Sequence, residues 1–161
     1  RELYADRVQK IKALMPHACI GVDVIVGFPG ETHEEFNKTL KFIKNSPISY
    51  LHVFPYSERE NTTAITFENS IKKEIRDERS KKLRILSKKL QRTFYQKYLH
   101  SEQIALFERN HNNGMIYGYT DNYIKVKIPY NSNIPKTKQK VRLLEIDSDG
   151  IMKSVLLTNN N

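Results

Sequence analysis

Near residue 100 the apolar side chains stop recurring at three- and four-residue steps and begin to fall in short runs divided by turn residues. Helical spacing turns one stripe inward and alternation turns one strand face inward, so the two parts of the chain need different kinds of core. Before the change, Ile71, Ile75, Leu83, Leu86, Leu90, Phe94 and Tyr98 predict a long amphipathic helix. After it, strands are predicted over 103–108, 115–119, 123–128, 141–146 and 151–157, with turns at 111–114, 121–122 and 149–150. Strict alternation in the third predicts Ile124, Val126 and Ile128 inward, with Tyr123, Lys125 and Lys127 outward. Strands this short leave exposed edges unless the sheet closes, so a small five-stranded, closed or nearly closed β-barrel is expected.

The first part has another rhythm. Leu3, Val8, Ile11, Leu14 and Met15 are spaced for a helix that Pro16 stops. Residues 19–26 are β-branched and nearly all apolar, as in a parallel strand covered on both faces. Gly27, Pro29 and Gly30 then make a turn, and Thr32 with Glu35 fits a helix-capping box ahead of inward Phe36, Leu40, Phe42 and Ile43. Residues 50–54 form a second strand, halted by Pro55. This is an α/β unit, yet two strands cannot complete a domain, and Arg1 opens the chain inside a helical pattern, so a piece of a longer protein is expected. The fold class is therefore α/β plus all-β. The divisions are 1–69 for the α/β part and its loop, 70–99 for a linker helix, 100–158 for the barrel and 159–161 for a tail.

Charge is unevenly spread. Of 27 basic and 18 acidic side chains, eleven and three fall within residues 71–100, a stripe that suits a polyanion through phosphate neutralisation and also fits a plain solvated helix. The single cysteine, Cys19, cannot form an internal disulfide and sits in an apolar run, where a thiol packs as a small hydrophobe. His17, His33, His52, His100 and His111 show no metal-ligand spacing. No run of about 18 apolar residues and no charged-then-apolar leader is present, so a soluble, cytoplasmic protein without membrane partners is expected.

The run from Gly21 to Thr32 (GVDVIVGFPGET) resembles a strand-and-turn signature of the radical S-adenosylmethionine methylthiotransferases. Leu51 to Ser57 (LHVFPYS) resembles the last barrel strand of that family, and is nearer to its members acting on threonylcarbamoyladenosine in tRNA than to those acting on isopentenyladenosine or a ribosomal protein. Glu78-Arg79-Ser80 on the basic helix and Gly118 to Tyr123 (GYTDNY) are similar to the family's linker and terminal TRAM domain, a small OB-like RNA-binding barrel. The resemblance implies the C-terminal part of a partial radical S-adenosylmethionine barrel followed by a TRAM domain. The intact enzyme would hold S-adenosylmethionine and two 4Fe-4S clusters, install a methylthio group beside the anticodon, and grip the tRNA anticodon stem-loop. With one cysteine this chain offers too few thiolates for a cluster and is expected to be inactive without the cluster-bearing portions of the same protein.

The resemblance places Ile25, Gly27, Glu31 and Tyr56 near S-adenosylmethionine, at the carboxyl ends of parallel strands where α/β folds take ligands. Gly27 and Gly30 also read as turn formers, and Glu31 as support for a helix start. No catalytic or metal-binding residue is expected. Tyr119, Tyr123, Lys125 and Lys127, with Tyr117 nearby, offer aromatic faces for bases and cations for phosphates, or else the tyrosines pack inside. Open alternatives are a ribosomal-protein or isopentenyladenosine methylthiotransferase relative and a non-catalytic RNA-binding adaptor.

Overall fold

Helix α1 covers Glu2–Leu14, strand β1 Gly21–Val26, helix α2 His33–Asn45 and strand β2 Tyr50–Pro55 in a computed structural model that describes residues 1–157. A 3-10 turn at Thr63–Thr66 lies in the polar connection, and helix α3 then runs over Lys73–Gln96. Contacts divide the chain into two units, Arg1–Gln91 and Arg92–Asn161, a boundary inside α3. Thr158 and the expected tail at 159–161 lie outside the described residues.

In the first unit β1 and β2 pair in parallel, from Gly21 opposite Tyr50 to Val26 opposite Pro55. Thr32 caps α2 by accepting the Glu35 amide at 3.1 Å. Val8 of α1, Phe36 and Ile43 of α2, Val26, Leu51 and Val53 of the strands and Leu83 of α3 form one buried cluster. The first stretch of α3 is thus part of this unit's core. The Ser87 hydroxyl on α3 donates to the Leu51 carbonyl at 3.1 Å and accepts the Leu51 amide at 2.8 Å, which satisfies both backbone groups of Leu51 on the outer edge of β2. Coverage on both faces of β1 is not what this chain has. Asp23, Ile25, His52 and Phe54 stand exposed on the face away from the helices. The apolar stripe of α1 is likewise open at Leu3, Ile11 and Leu14, because only Val8 reaches the core.

The second unit contains β3 (Glu102–Asn112), β4 (Met115–Thr120), β5 (Lys125–Pro129), β6 (Lys138–Ile146) and β7 (Met152–Leu156). They close into a ring in the order β3-β4-β5-β7-β6, and every neighbour is antiparallel except β5 and β7. Asn113 and Gly114, both at positive φ, make the tight β3–β4 hairpin that matches strand twist. Ala105, Phe107, Ile116, Ile124, Val126, Ile128, Val141, Leu143 and Met152 fill the interior. Tyr95, at the end of α3, is buried, and its hydroxyl accepts the Lys125 amide at 2.9 Å. The third strand begins at Lys125 rather than at Tyr123, because Thr120 holds a turn there. Its carbonyl accepts the Tyr123 amide at 3.0 Å, its hydroxyl oxygen accepts the Ile124 amide at 3.0 Å, and the same hydroxyl donates to Asn122 Oδ1 at 2.6 Å.

Candidate functional site

The carboxyl ends of β1 and β2 are tied to α3 by two arginines. After Val26 the chain turns through Gly27 at φ +75, and the Gly27 amide donates to Glu31 Oε2 at 2.7 Å. Arg79 Nη1 pairs with the same Glu31 oxygen at 2.5 Å and donates to the Glu31 carbonyl at 2.9 Å. Both charged groups are nearly out of water, at 7% and 15% side-chain exposure. The Glu31 carboxylate therefore acts inside the protein, holding the loop closed, and does not point freely at a ligand. Gly27 has two reasons to be glycine: its φ, and Arg76, whose Cγ a Cβ at this position would strike. Gly30, at φ +83 with open space around it, is a turn former only.

Arg76 is held on all sides. Its guanidinium donates to the Tyr56 carbonyl at 2.9 Å, to both Glu58 carboxylate oxygens and to Ser70 Oγ at 3.1 Å, while Nε donates to the Ile71 carbonyl at 2.6 Å. Hydrogen bonding from Arg76 holds the Glu58 carboxyl down at about 2. The guanidinium also lies 5.4 Å from the centre of the Tyr56 ring, whose other neighbour is Phe28, edge-on at 5.2 Å. Tyr56 Oη is buried and has no hydrogen-bond partner among the described residues, a condition that costs about 1–3 kcal/mol unless another molecule completes it. Ile25, exposed, pairs across the ladder with exposed Phe54. Ile25 and Phe54 thus form an open apolar step on the two strands whose carboxyl ends lead to Gly27 and Tyr56. Arg76 and Arg79 are internal anchors of the loops after β1 and β2, on a helix that charge counting reads as a solvated basic face. Of the other α3 cations, Lys81, Lys88 and Lys89 are exposed and make no ion pair among the described residues.

On the ring, Tyr119 and Tyr123 lie together with centroids 5.5 Å apart, and the Lys125 ammonium sits 5.5 Å from the Tyr117 ring and 5.7 Å from the Tyr119 ring. Lys127 departs from expectation. Its register opposite Tyr117 gives it the outward parity that alternation predicts. Its side chain is nevertheless only 9% exposed, because Asp147 at 2.7 Å and Asp149 at 2.5 Å, from the β6–β7 turn, close over it. Burial alone would pull the Lys127 ammonium down, but the two carboxylates outweigh it and raise the group overall. It is a structural cation.

The same cluster sets a pH response. The hydrogen bond from Lys127, helped by the Ser148 amide, holds Asp147 at about 2, and Lys127 likewise lowers Asp149. Unfolded aspartates titrate near ~3.9, so these groups stabilise the ring fully above that value and progressively less as pH falls toward about 2. Amide exchange of ring residues between about pH 5 and about pH 2 should show protection declining across this window. In Lys127→Met the decline should be shallower, and an unchanged profile in the variant would exclude the cluster as its cause.

Among the described residues no group of three or more His, Cys, Asp or Glu side chains is placed to hold a metal ion. Cys19 is half-buried, and burial pushes its thiol up. Among the described residues no helix is long and apolar enough to cross a membrane. No family model matches the chain. Curated relatives do. Over 89% of its length the chain is 38% identical to the threonylcarbamoyladenosine tRNA methylthiotransferase MtaB of Bacillus subtilis (strain 168), covering 33% of that protein. Identity to the MtaB of Aquifex aeolicus (strain VF5) is 41%, over 79% of this chain and 30% of that one. The tRNA-2-methylthio-N(6)-dimethylallyladenosine synthase of Buchnera aphidicola subsp. Cinara cedri is 33% identical over 99% of the chain and 37% of its own length. The chain thus spans about a third of the length of these relatives.

Proposed function

Because the chain is homologous to the C-terminal third of the tRNA methylthiotransferases, we propose that it is the substrate-gripping end of an enzyme that adds a methylthio group to threonylcarbamoyladenosine beside the anticodon of tRNA. Reach and identity carry this reading: a match over 89% of the chain must include both units, and the 38% and 41% identities to the two threonylcarbamoyladenosine enzymes exceed the 33% to the dimethylallyladenosine synthase. In the proposal the first unit completes a partial radical S-adenosylmethionine barrel, and the ring is a TRAM barrel that binds the anticodon stem-loop in the cytoplasm.

The residues present fit part of what such an enzyme needs. They do not fit an iron-sulfur cluster, since one cysteine cannot supply its thiolates. They do fit S-adenosylmethionine. Ile25 and Phe54 would give its adenine an apolar floor, Gly27 the turn that ends the strand beside it, and Tyr56 a buried hydroxyl without a partner among the described residues. When bound, S-adenosylmethionine supplies the radical and the methyl group. What these residues do is position it: Glu31 and Arg79 fix the Gly27 loop, while Arg76 fixes Tyr56. The open face at Ile25 and Phe54 and the bare stripe of α1 are the surfaces the rest of the barrel would cover.

Deleting the gene for the whole protein and digesting cellular tRNA for mass spectrometry tests the proposal. The methylthio form of threonylcarbamoyladenosine should disappear while the unmodified nucleoside accumulates. Loss of the methylthio group from an isopentenyladenosine instead would transfer the chain to the sister substrate, and unchanged tRNA would leave a ribosomal-protein methylthiotransferase or an RNA-binding adaptor.

A further inference from the structure

A row of side chains crosses four strands on the outside of the ring. Leu106 of β3 pairs with Lys138 of β6 on one side and with Tyr119 of β4 on the other, and Tyr119 pairs with Lys125 of β5. The order is cation, aliphatic, aromatic, cation, running around the outer wall of the ring. The row borders a groove of about 870 Å³ whose walls include Ile104, Leu106, Tyr119, Tyr123, Lys136 and Lys138. Ile104, Leu106 and Tyr123 are 59%, 50% and 63% exposed, large apolar groups that the ring's own packing does not use. Tyr123 is held there at φ +63, a left-handed conformation that bulky residues seldom adopt, by the Thr120 turn. Strain retained at an exposed aromatic is a feature of ligand clamps.

The charges favour one kind of occupant. Lys140 and Arg142 share Glu102, and Lys127 lies between Asp147 and Asp149, whereas Lys136, Lys138 and Lys125 have no acidic partner among the described residues. Glu108 and Asp121 also line the groove. Carboxylates repel phosphate and accept hydrogen bonds from base N–H groups, so a base belongs within and the phosphates belong over the lysines. A duplex offers phosphates but no free base faces, and so cannot fill an apolar cleft of this kind.

We propose that this groove seats one or two unstacked bases of single-stranded RNA against Tyr119, Tyr123, Ile104 and Leu106, with Lys125, Lys136 and Lys138 meeting the flanking phosphates. The proposal rests on the reading of the ring as an RNA-binding barrel and extends it to β3 and β6, which that reading leaves unassigned.

Fluorescence anisotropy of the full chain with a labelled single-stranded RNA decamer, and with a blunt RNA duplex of the same length, across a salt series, tests it. Single strands should bind about tenfold or more tighter than duplex. Tyr123→Ala and the exposed-site change Leu106→Ser should each weaken single-strand binding by about tenfold, the scale of one lost base contact, with the salt slope unchanged. Lys138→Ala should flatten the slope by about 0.7, while Lys127→Ala, at a cation already held by two aspartates, should leave it as it is. Circular dichroism establishes that each variant keeps the ring. If single strands bind but Leu106→Ser and Tyr123→Ala are both silent, the groove is refuted and the wider RNA-binding reading stands. If neither RNA nor intact tRNA binds at low salt, both are refuted. A concentration-dependent dimer abolished by Leu106→Ser would assign the groove to a second copy of the chain and overturn the proposal.

Discussion

Arg79→Ala is expected to destabilise the first unit by about 3–5 kcal/mol, the scale for removing one member of a buried ion pair and stranding the other. The loss falls on a dense set of contacts. Without the guanidinium the Glu31 carboxylate keeps, among the described residues, the Gly27 amide at 2.7 Å, and the Phe36 ring loses the cation 5.4 Å from its centre. Arg79 Nε is itself buried without a partner among the described residues, so the native pair is not fully satisfied and a well-packed apolar replacement could do as well. Urea unfolding of Arg79→Ala, Glu31→Leu and the combination Arg79→Met with Glu31→Leu separates these contributions. The combination should recover most of the stability lost by Arg79→Ala. If it is no better than the single variant, the cost lies in shape and not in an uncompensated charge.

Gly27→Ala should cost about 2–4 kcal/mol, combining left-handed backbone strain with overpacking against Arg76. Arg76 cannot easily yield, since its side chain is fixed by Tyr56, Glu58, Ser70 and Ile71. The control is Gly30→Ala, three residues on, where φ is also positive but nothing lies within 4 Å of the added carbon; about 1–2 kcal/mol of backbone strain is all that remains. Denaturation midpoints of the two variants measure the difference directly. Equal losses would show that Arg76 gives way, and would leave the turn conformation as the only constraint on Gly27.

Local chemistry accounts for what could be read from residue order. Pro16 ends α1, Thr32 caps α2, and Asn113-Gly114 turns β3 into β4, because each of these effects depends on neighbours within four residues. Alternation gave Lys127 its parity but not its surroundings, since Asp147 and Asp149 arrive from a turn about 20 residues later. Arg76 and Arg79 were hidden for the same reason. In a helix rich in lysine they resemble any solvated cation, and their partners Glu58 and Glu31 stand 18 and 48 residues earlier in the chain. Tyr95 follows Phe94 and falls off the stripe by spacing, yet it is buried, and its hydroxyl accepts the amide of Lys125, 30 residues later in the chain. At the candidate site, then, the motif located the loop, while the groups that hold the loop came from far along the chain.

The β5–β7 junction decides how the ring must assemble. The β3–β4, β4–β5 and β6–β7 ladders join neighbours in sequence, so each can zip from its own turn with little loop entropy to overcome. The parallel contact of β5 with β7 has only two residue pairs, Val126 with Met152 and Lys127 with Lys153, and it gains nothing until the strands on either side of it are in place. With the fewest pairs of the five ladders, this junction is expected to show the weakest amide-exchange protection in the ring, and protection there equal to that of β3–β4 would refute it.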